Sequence, residues 1–386
     1  MNSKTIFVSA GEVSGDIHAA ALIKKMKELD PTLSFEGLGG PNMISAGMKS
    51  ILKADFSTMS TMGFMEAMRF FRKKSSILKS SLKYIRDKEI KHLLLVDNQG
   101  FNIPLAKKAF KSGVKSIYYF PPHVSIWAKW NARIVARYVD LIIAPFYQDY
   151  LIYKEKVPAG SAVFPGHPLL DITSEPFTAK GLYEKYKLDK NKKIVSIMPG
   201  SRFQEIETLT GPMLQAAKIL IEKHGVSVIL PVSHKEFEKT ILEKINFYGL
   251  ENSIIIIRND SYNAMRMADV NILASGTASL ESALFRKPPV ICYKISPVSF
   301  LIGKLLIQVK MIGLPNILLG KKYFPELLQK DCSADNIVKE TLSLLHPDAE
   351  KKKEMAGYFD DIRKSLGEEN VIERVARLLT ERISDA

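Results

Sequence analysis

The stretch SGTASLE at residues 275–281 puts a glycine between two hydroxyl side chains and a carboxylate one helical turn further on. It follows the apolar run Val270–Leu273, so a strand ends where a helix opens. Ser275, Gly276 and Thr277 offer hydroxyls and the free N–H groups of a first turn, an arrangement that accepts phosphate. Glu281, four residues past Thr277 on the same helical face, suits a ribose diol. A plain helix cap with an exposed glutamate is the competing reading. A second stretch, SIMPGSRFQEIETL at 196–209, has the same form. The strand Ile194–Ile197 runs into Pro199, Gly200, Ser201 and Arg202, and a helix carrying Glu205 follows. The planar fork of Arg202 suits a diphosphate or a carboxylate, unless it only pairs with Glu205. Together the two stretches point to a nucleotide diphosphate in the C-terminal half.

The opening loop of the chain has different chemistry. In SAGEVSGDIHAA, Gly11, Ser14 and Gly15 surround two carboxylates, Glu12 and Asp16. Acidic groups repel pyrophosphate, and the loop lacks both the dinucleotide fingerprint and the lysine of a P-loop. It favours a sugar hydroxyl or a proton to be removed. Asp16 also fits a helix cap.

These residues need elements to hold them. Short runs rich in Ile, Val and Leu predict strands at Ile6–Ser9, His92–Val96, Ser116–Tyr119 and Leu141–Ala144 in the first half. In the second half they predict Ile194–Ile197, Ser227–Leu230, Ile254–Ile257, Val270–Leu273 and Val290–Cys292. Helical patterns intervene, which implies parallel βαβ sheets. The segment 165–191 is richer in Pro, Gly and charge and reads as a linker. The reading is therefore two doubly wound α/β domains, residues 1–165 and 166–349. A charged helical segment, 350–386, completes the first. Ligand sites belong at the carboxyl ends of the strands.

Composition narrows the partners. The 386 residues carry a net charge of +14, which favours an anionic partner. No nucleic-acid motif is visible, so a phosphorylated substrate or a phospholipid surface ranks above nucleic acid. Two cysteines, Cys292 and Cys332, are far apart in sequence, have no metal-ligand spacing and read as buried thiols. No secretory signal is visible at the start of the sequence, and the region 290–320 is interrupted by Lys294, Pro297, Lys304, Gln308, Lys310 and Pro315. The expectation is a cytoplasmic protein, with surface attachment to a membrane open.

The motifs SAGEVSGDIHAA, GLGGPNMISAGM, MSTMGFMEAM, PGSRFQEI, SGTASLESAL and LPNILLG occur in this order. In this set, which covers about residues 5–335, the chain resembles the lipid-A-disaccharide synthases. The resemblance implies the GT-B fold, two Rossmann-like domains facing one cleft. It implies an inverting transfer of a diacylated glucosamine from UDP to a diacylated glucosamine 1-phosphate, with release of UDP and neither metal nor other cofactor. It assigns Arg202 and the turn Ser275–Thr277 with Glu281 to the UDP side. It links Asn316 of LPNILLG to activity and puts Asn102 in the strand-end motif of the first domain. Association into a homodimer is open to such a chain.

One motif departs from the family. The pattern there is Asp, two residues ending in Pro, then Asp-Phe-Asn; this chain has Asp97-Asn98-Gln99-Gly100-Phe101-Asn102. The second carboxylate is replaced by Gly100. A neighbouring run becomes PPHVSIWAKW and brings His123 and Lys129 to the rim of the cleft. Inverting transfer needs a base for the acceptor hydroxyl and positive or dipolar groups on the departing diphosphate. Asp97 is the first candidate base, with Asp16 and Glu12 next and His18 and His123 near. Capping of a loop is the bland role for Asp97. The region 59–91 joins Met and Phe to cations; residues 69–91 hold nine basic side chains against two acidic ones. It fits an anionic inner-membrane surface, or a core-packed helix followed by a solvated one. The apolar stretch 298–311 could line an acyl groove. A GT-B transferase or epimerase acting on a soluble sugar, and a UDP-sugar binder without turnover, are the alternatives. A Rossmann dehydrogenase is the weakest rival, since the fingerprint is missing.

Overall fold

The computed structural model describes residues 4–11, 13–51, 64–126, 129–179, 181–232, 235–295 and 311–384, and leaves the side chains of 13, 64–73 and 235 undescribed. The chain forms two compact units, Met1–Ile172 with Leu366–Ala386, and Thr173–Ser365. The sequence boundaries at 165 and 349 thus move to 172 and 365. The physical reason for the second shift is packing. The helix Ala349–Ser365 lies against the second unit, where Phe359 stacks on Phe324 at 5.6 Å and Asp360 accepts a hydrogen bond from Arg286 at 2.5 Å. Only the last helix, Val371–Ser384, returns to the first unit.

In the first unit β1 (Lys4–Ala10), β2 (Leu33–Leu38), β3 (Lys49–Ser50), β4 (His92–Val96), β5 (Lys115–Tyr119), β6 (Leu141–Ile143) and β7 (Ala162–Val163) form one parallel sheet. The spatial order is β3-β2-β1-β4-β5-β6-β7. The apolar strands are buried on both faces, as their composition requires. One face is covered by the helix Val13–Leu29 and the terminal helix, through Leu22, Ile23, Met26, Val375, Leu379 and Ile383. The other is covered by helices that bring Ile77, Ile85, Phe101 and Leu105.

In the second unit β8 (Ile194–Met198), β9 (Ser227–Val232), β10 (Ile254–Arg258), β11 (Val270–Ala274), β12 (Pro289–Tyr293) and β13 (Glu326–Leu328) form a parallel sheet in the order β10-β9-β8-β11-β12-β13. Both sheets are doubly wound, and in each the order reverses beside the first strand: between β1 and β4, and between β8 and β11. Two such units are the GT-B architecture. A reversal opens a crevice at the carboxyl ends of the two strands, where ligands of such sheets bind. Cys292 and Cys332 are free and buried. No helix among the described residues is long and apolar enough to cross a membrane.

Candidate active site

In the second unit the two sequence motifs emerge side by side. Met198 at the end of β8 pairs in register with Leu273 of β11, so PGSR and SGT are adjacent loops at the reversal. Gly200 sits at φ 124°, and a side chain there would collide with Glu205, its Cβ lying 2.2 Å from Oε2. The Glu205 carboxylate takes that space and accepts from the N–H groups of Ser201 (3.0 Å) and Arg202 (3.3 Å), which closes the start of the helix Phe203–His224. Arg202 also donates to Glu205 at 3.5 Å, but its side chain stays 53% exposed. A long, solvated pair of this kind is worth little, and a diphosphate can displace it.

Ser275 donates its hydroxyl to the Ile312 carbonyl at 3.0 Å, and its N–H to the Cys292 carbonyl at 3.0 Å, so the turn is fixed from behind. Gly276 is exposed with open space where a side chain would stand, and Thr277 starts the helix Thr277–Leu284. Glu281 accepts from the Tyr262 hydroxyl at 3.1 Å. Burial pushes its carboxyl up to about 7, against the pull of that hydrogen bond. Asn316 is fully buried, and both ends of its amide are engaged. It donates to the Phe324 carbonyl (2.9 Å) and Glu326 (2.8 Å) and accepts from the N–H groups of Tyr323 and Phe324. Glu326 in turn holds the N–H groups of Ile312 (3.1 Å) and Gly313 (2.9 Å). A chain of hydrogen bonds thus runs from Asn316 to Ser275. Asn316 belongs to the second unit and positions the SGT turn; a direct contact with an acceptor is not what its bonds describe.

The first unit fills its reversal differently. Asp97 follows β4, and both it (φ 50°) and Asn98 (φ 43°) adopt the left-handed region, which Asp and Asn tolerate better than most residues. Three bonds hold that turn. The Asp97 N–H reaches the Tyr119 carbonyl (3.2 Å), and its carbonyl accepts from the Asn102 amide (2.8 Å) and the Tyr118 hydroxyl (2.8 Å). Strained backbone held this firmly marks a functional candidate. Asn102 is fully buried, accepts from the Ser9 hydroxyl at 2.7 Å and donates to the Ser9 and Val96 carbonyls, so it rivets β1 to β4. It positions Asp97 and is sealed from a ligand. Gly15 packs beside Asp97, where an added Cβ would lie 3.6 Å from the Asp97 Cβ. Gly11 is buried at the end of β1, and Ser14 lies in the first helical turn, half-buried. Glu12 lies outside the described residues.

Asp16 is engaged by donors of a neighbouring element. It is buried, and its carboxylate accepts from the N–H groups of Gly40 (2.9 Å), Asn42 (3.0 Å) and Met43 (3.1 Å) and from the Asn42 side chain (2.8 Å). It caps the short helix Pro41–Ser45 rather than its own, which explains GLGGPNM: a Cβ on Gly40 would meet the carboxylate at 2.6 Å.

Sequence reasoning missed the partners of the histidines. His123 Nδ1 lies 2.9 Å from buried Asp149, which also accepts from the Ser125 N–H. Burial alone would push His123 down; the hydrogen bond and charge of Asp149, with the charge of Asp97, raise it instead. His123 remains 34% exposed. His18 stacks on Phe120 at 4.5 Å, and burial pushes it down to about 4. Buried His167, edge-on to Phe120 and Phe146, is pushed down by burial and by its neighbours His18 and His123. Burial thus disfavours the charged form of His18 and His167, while Asp149 and Asp97 favour it in His123. Among the described residues no cluster of three His, Cys, Asp or Glu side chains could hold a metal ion. Of the two membrane-related stretches, 52–63 and 296–310 lie outside the described residues.

The family model described as Lipid-A-disaccharide synthetase matches residues 6–378. The chain belongs to the lipid-A-disaccharide synthase family. A lipid-A-disaccharide synthase of Persephonella marina is 36% identical over 383 residues, covering 98% of this chain and 99% of the relative. One of Geobacter metallireducens is 34% identical over 381 residues, covering 98% and 97%. Among solved structures, a S. aureus MnaA–UDP co-structure superposes with a TM-score of 0.66 at 16% identity, covering 99% of this chain and 97% of that one. A Neisseria meningitidis UDP-GlcNAc 2-epimerase bound to UDP-GlcNAc gives 0.60 at 14% identity, covering 99% of both. At such identities the synthase family and these structures share the fold, and no more is inferred from them.

Proposed function

We propose that the chain moves a diacylated glucosamine from its UDP carrier to a diacylated glucosamine 1-phosphate, with inversion, and releases UDP. It is a glycosyltransferase by family. The observation that carries the assignment of roles is the adjacency of PGSR and SGT at the reversal of the second sheet. Arg202, Ser201 and Gly200 then meet the diphosphate, the turn Ser275–Thr277 presents the N–H groups of Gly276 and Thr277 and the Thr277 hydroxyl to it, with Ser275 anchoring the turn, and Glu281 takes the ribose. The bonds to Glu205 and Ile312 fix the two turns, so the remaining donors at these helix starts need little reorganisation as negative charge develops on the leaving group. Asp97 is the base for the acceptor hydroxyl, because it stands at the carboxyl end of β4, at the reversal of the first sheet, on a turn held by Asn102.

Acylated substrates require contact with a lipid surface, and we assign the enzyme to the cytoplasmic face of an anionic membrane, as a peripheral protein. The described part of the first unit supports this. From Asn98 to Val139 there is no acidic residue, while Lys107, Lys108, Lys111, Lys115, Lys129, Arg133 and Arg137 are present. Trp130 (60% exposed) and Phe110 (49% exposed) lie in the same segment. Cations beside exposed aromatic rings suit an interface with anionic lipid.

One assay tests both parts: UDP release with the two acylated substrates presented in anionic or neutral vesicles, for wild type and Asp97→Ala. The expected result is release by wild type, faster on anionic vesicles at low salt, and a fall in kcat of about 10²–10⁴-fold in the variant. Unchanged turnover in Asp97→Ala would remove Asp97 from the mechanism, and indifference to vesicle charge would remove the membrane surface.

A further inference from the structure

The loops that carry PGSR and SGT lie at the carboxyl ends of the second sheet; two cavities lie at its amino ends. Lys193, Asp269 and Lys287, which closely precede β8, β11 and β12, are among their lining residues. The smaller cavity, of about 410 Å³, sets four cations, Arg266, Arg286, Lys287 and Arg363, against one carboxylate, Glu175, among its described lining residues. The larger, of about 610 Å³, shares Arg286 and Phe359 with it and adds an apolar wall of Leu344, Leu345 and Met355. Volumes of this size suit small molecules. The eight-residue helix Thr277–Leu284 sets the smaller cavity about 12 Å from the SGT turn.

Three of these cations are engaged. Arg266, 9% exposed, lies over the Phe285 ring at 4.3 Å and the Phe177 ring at 5.5 Å. Arg286 donates to Asp360 at 2.5 Å and Arg363 to Ser174 at 2.6 Å. Lys287 differs: it is half-buried, and among the described residues its ammonium makes no hydrogen bond or ion pair. Burial pushes it down from its usual range, with Asp269 opposing the effect and Lys193 adding to it. Its backbone is fixed. The Lys287 N–H reaches the Ser282 carbonyl (2.9 Å), its carbonyl accepts from the Ser282 hydroxyl (2.8 Å), and Arg286 before it is held in the left-handed region at φ 59°. A poorly solvated ammonium at a fixed point among like charges is stabilised by a bound anion. We propose that the smaller cavity binds a phosphate monoester carried on an apolar group, with the phosphate on Lys287 beside Arg286 and Arg363 and the apolar part against Phe359 in the larger cavity. Forked guanidinium donors and an ammonium suit a tetrahedral dianion. The site goes beyond the transfer reaction, since none of its residues belongs to the UDP side or to the first unit.

The test is calorimetric titration of the full chain, with and without saturating UDP, for wild type, Lys287→Met and Lys287→Arg. The probes are hexyl phosphate, dihexanoyl phosphatidate and inorganic phosphate. The expected result is that both esters bind wild type about tenfold or more tighter than inorganic phosphate, because the chain adds apolar burial. Ester affinity falls about tenfold or more in Lys287→Met and is largely kept in Lys287→Arg. UDP affinity and the ligand-free unfolding temperature are not lowered in either variant. The tighter of the two esters tells whether the phosphate comes from a lipid headgroup or from a soluble compound. Equal ester binding by wild type and Lys287→Met, competition between ester and UDP, or no ester binding at millimolar concentration overturns the site. Inorganic phosphate that binds as tightly as the esters overturns its apolar half. A Lys287→Met variant that unfolds at a lower temperature without ligand makes Lys287 a structural residue and overturns its role.

Discussion

In the second unit, the loops after β8 and β11 leave a half-exposed arginine, an open glycine and hydroxyls at a helix start, all braced from behind by Glu205, Glu326 and Asn316. In the first unit, the segments after β1 and β4 turn most of their polar groups inward: Asp16 into a neighbouring helix, Asn102 into the strand ends, His18 into an aromatic contact. The sheets reverse at equivalent strands, so topology places both crevices and does not decide what they bind. The polar bookkeeping decides it. A crevice that ends in an exposed arginine and two helix starts suits an anion; one that turns its polar groups inward around a firmly held turn does not.

The comparison breaks most visibly at Asp16. Its carboxylate answers four donors, so Asp16→Ala leaves buried N–H groups unpaired and should cost about 3 kcal/mol of stability or more. Denaturant unfolding measures this. The folded fraction should keep its UDP affinity, since the second unit is untouched. A variant with normal stability and abolished turnover would instead make Asp16 a reacting group, and the division drawn here between inward and outward carboxylates would be wrong. Arg202 sharpens the same contrast from the other side. Its pair with Glu205 is long and exposed, so Arg202→Ala should leave stability within about 0.5 kcal/mol while weakening UDP about 10- to 100-fold. Calorimetric titration with UDP reads it, and an unfolding shift without a binding change would make the residue a cap.

How much of this was readable from the chain follows the range of the interactions. Strands such as His92–Val96 and Ile254–Arg258 are continuous apolar runs and declare themselves locally. Leu33–Leu38 does not, because Glu36 and Gly37 interrupt it. Glu36 is there to accept from Tyr84 at 2.6 Å, and Gly37 because a Cβ would fall 2.0 Å from the Val8 carbonyl oxygen. β3 and β7 are two residues long, too short for a pattern. The SGT and PGSR turns were legible because a helix start and its ligand groups lie within one short segment. The fate of Asp16 was not, since its donors stand 24 to 27 residues away. Nor were the roles of Asn102 and Asn316: an amide reads alike whether it faces a sugar or rivets two loops. Tyr262 and Asp149 carried no signal at all, because each acts only on a residue brought to it by the fold.

Tyr262 matters for the smallest and most diagnostic effect. Glu281, with its carboxyl near 7 when the site is empty, is about half protonated at neutral pH. A neutral carboxyl accepts one ribose hydroxyl well; a carboxylate accepts both, so nucleotide binding favours the ionised form. UDP affinity should therefore rise as pH goes from about 6 to 8, by up to about tenfold, and level off above that. Stability runs the other way. The folded-state value lies above the 4.5 of the free side chain, so the native state binds the extra proton, and this group's contribution to stability declines as pH rises from about 4.5 to 7. Opposite slopes for binding and for apo stability, both flattened in Glu281→Gln, are the expected signature. Parallel slopes, or a pH dependence of UDP binding that survives Glu281→Gln, would move the titrating group elsewhere and leave Glu281 as a half-buried helix residue bonded to Tyr262.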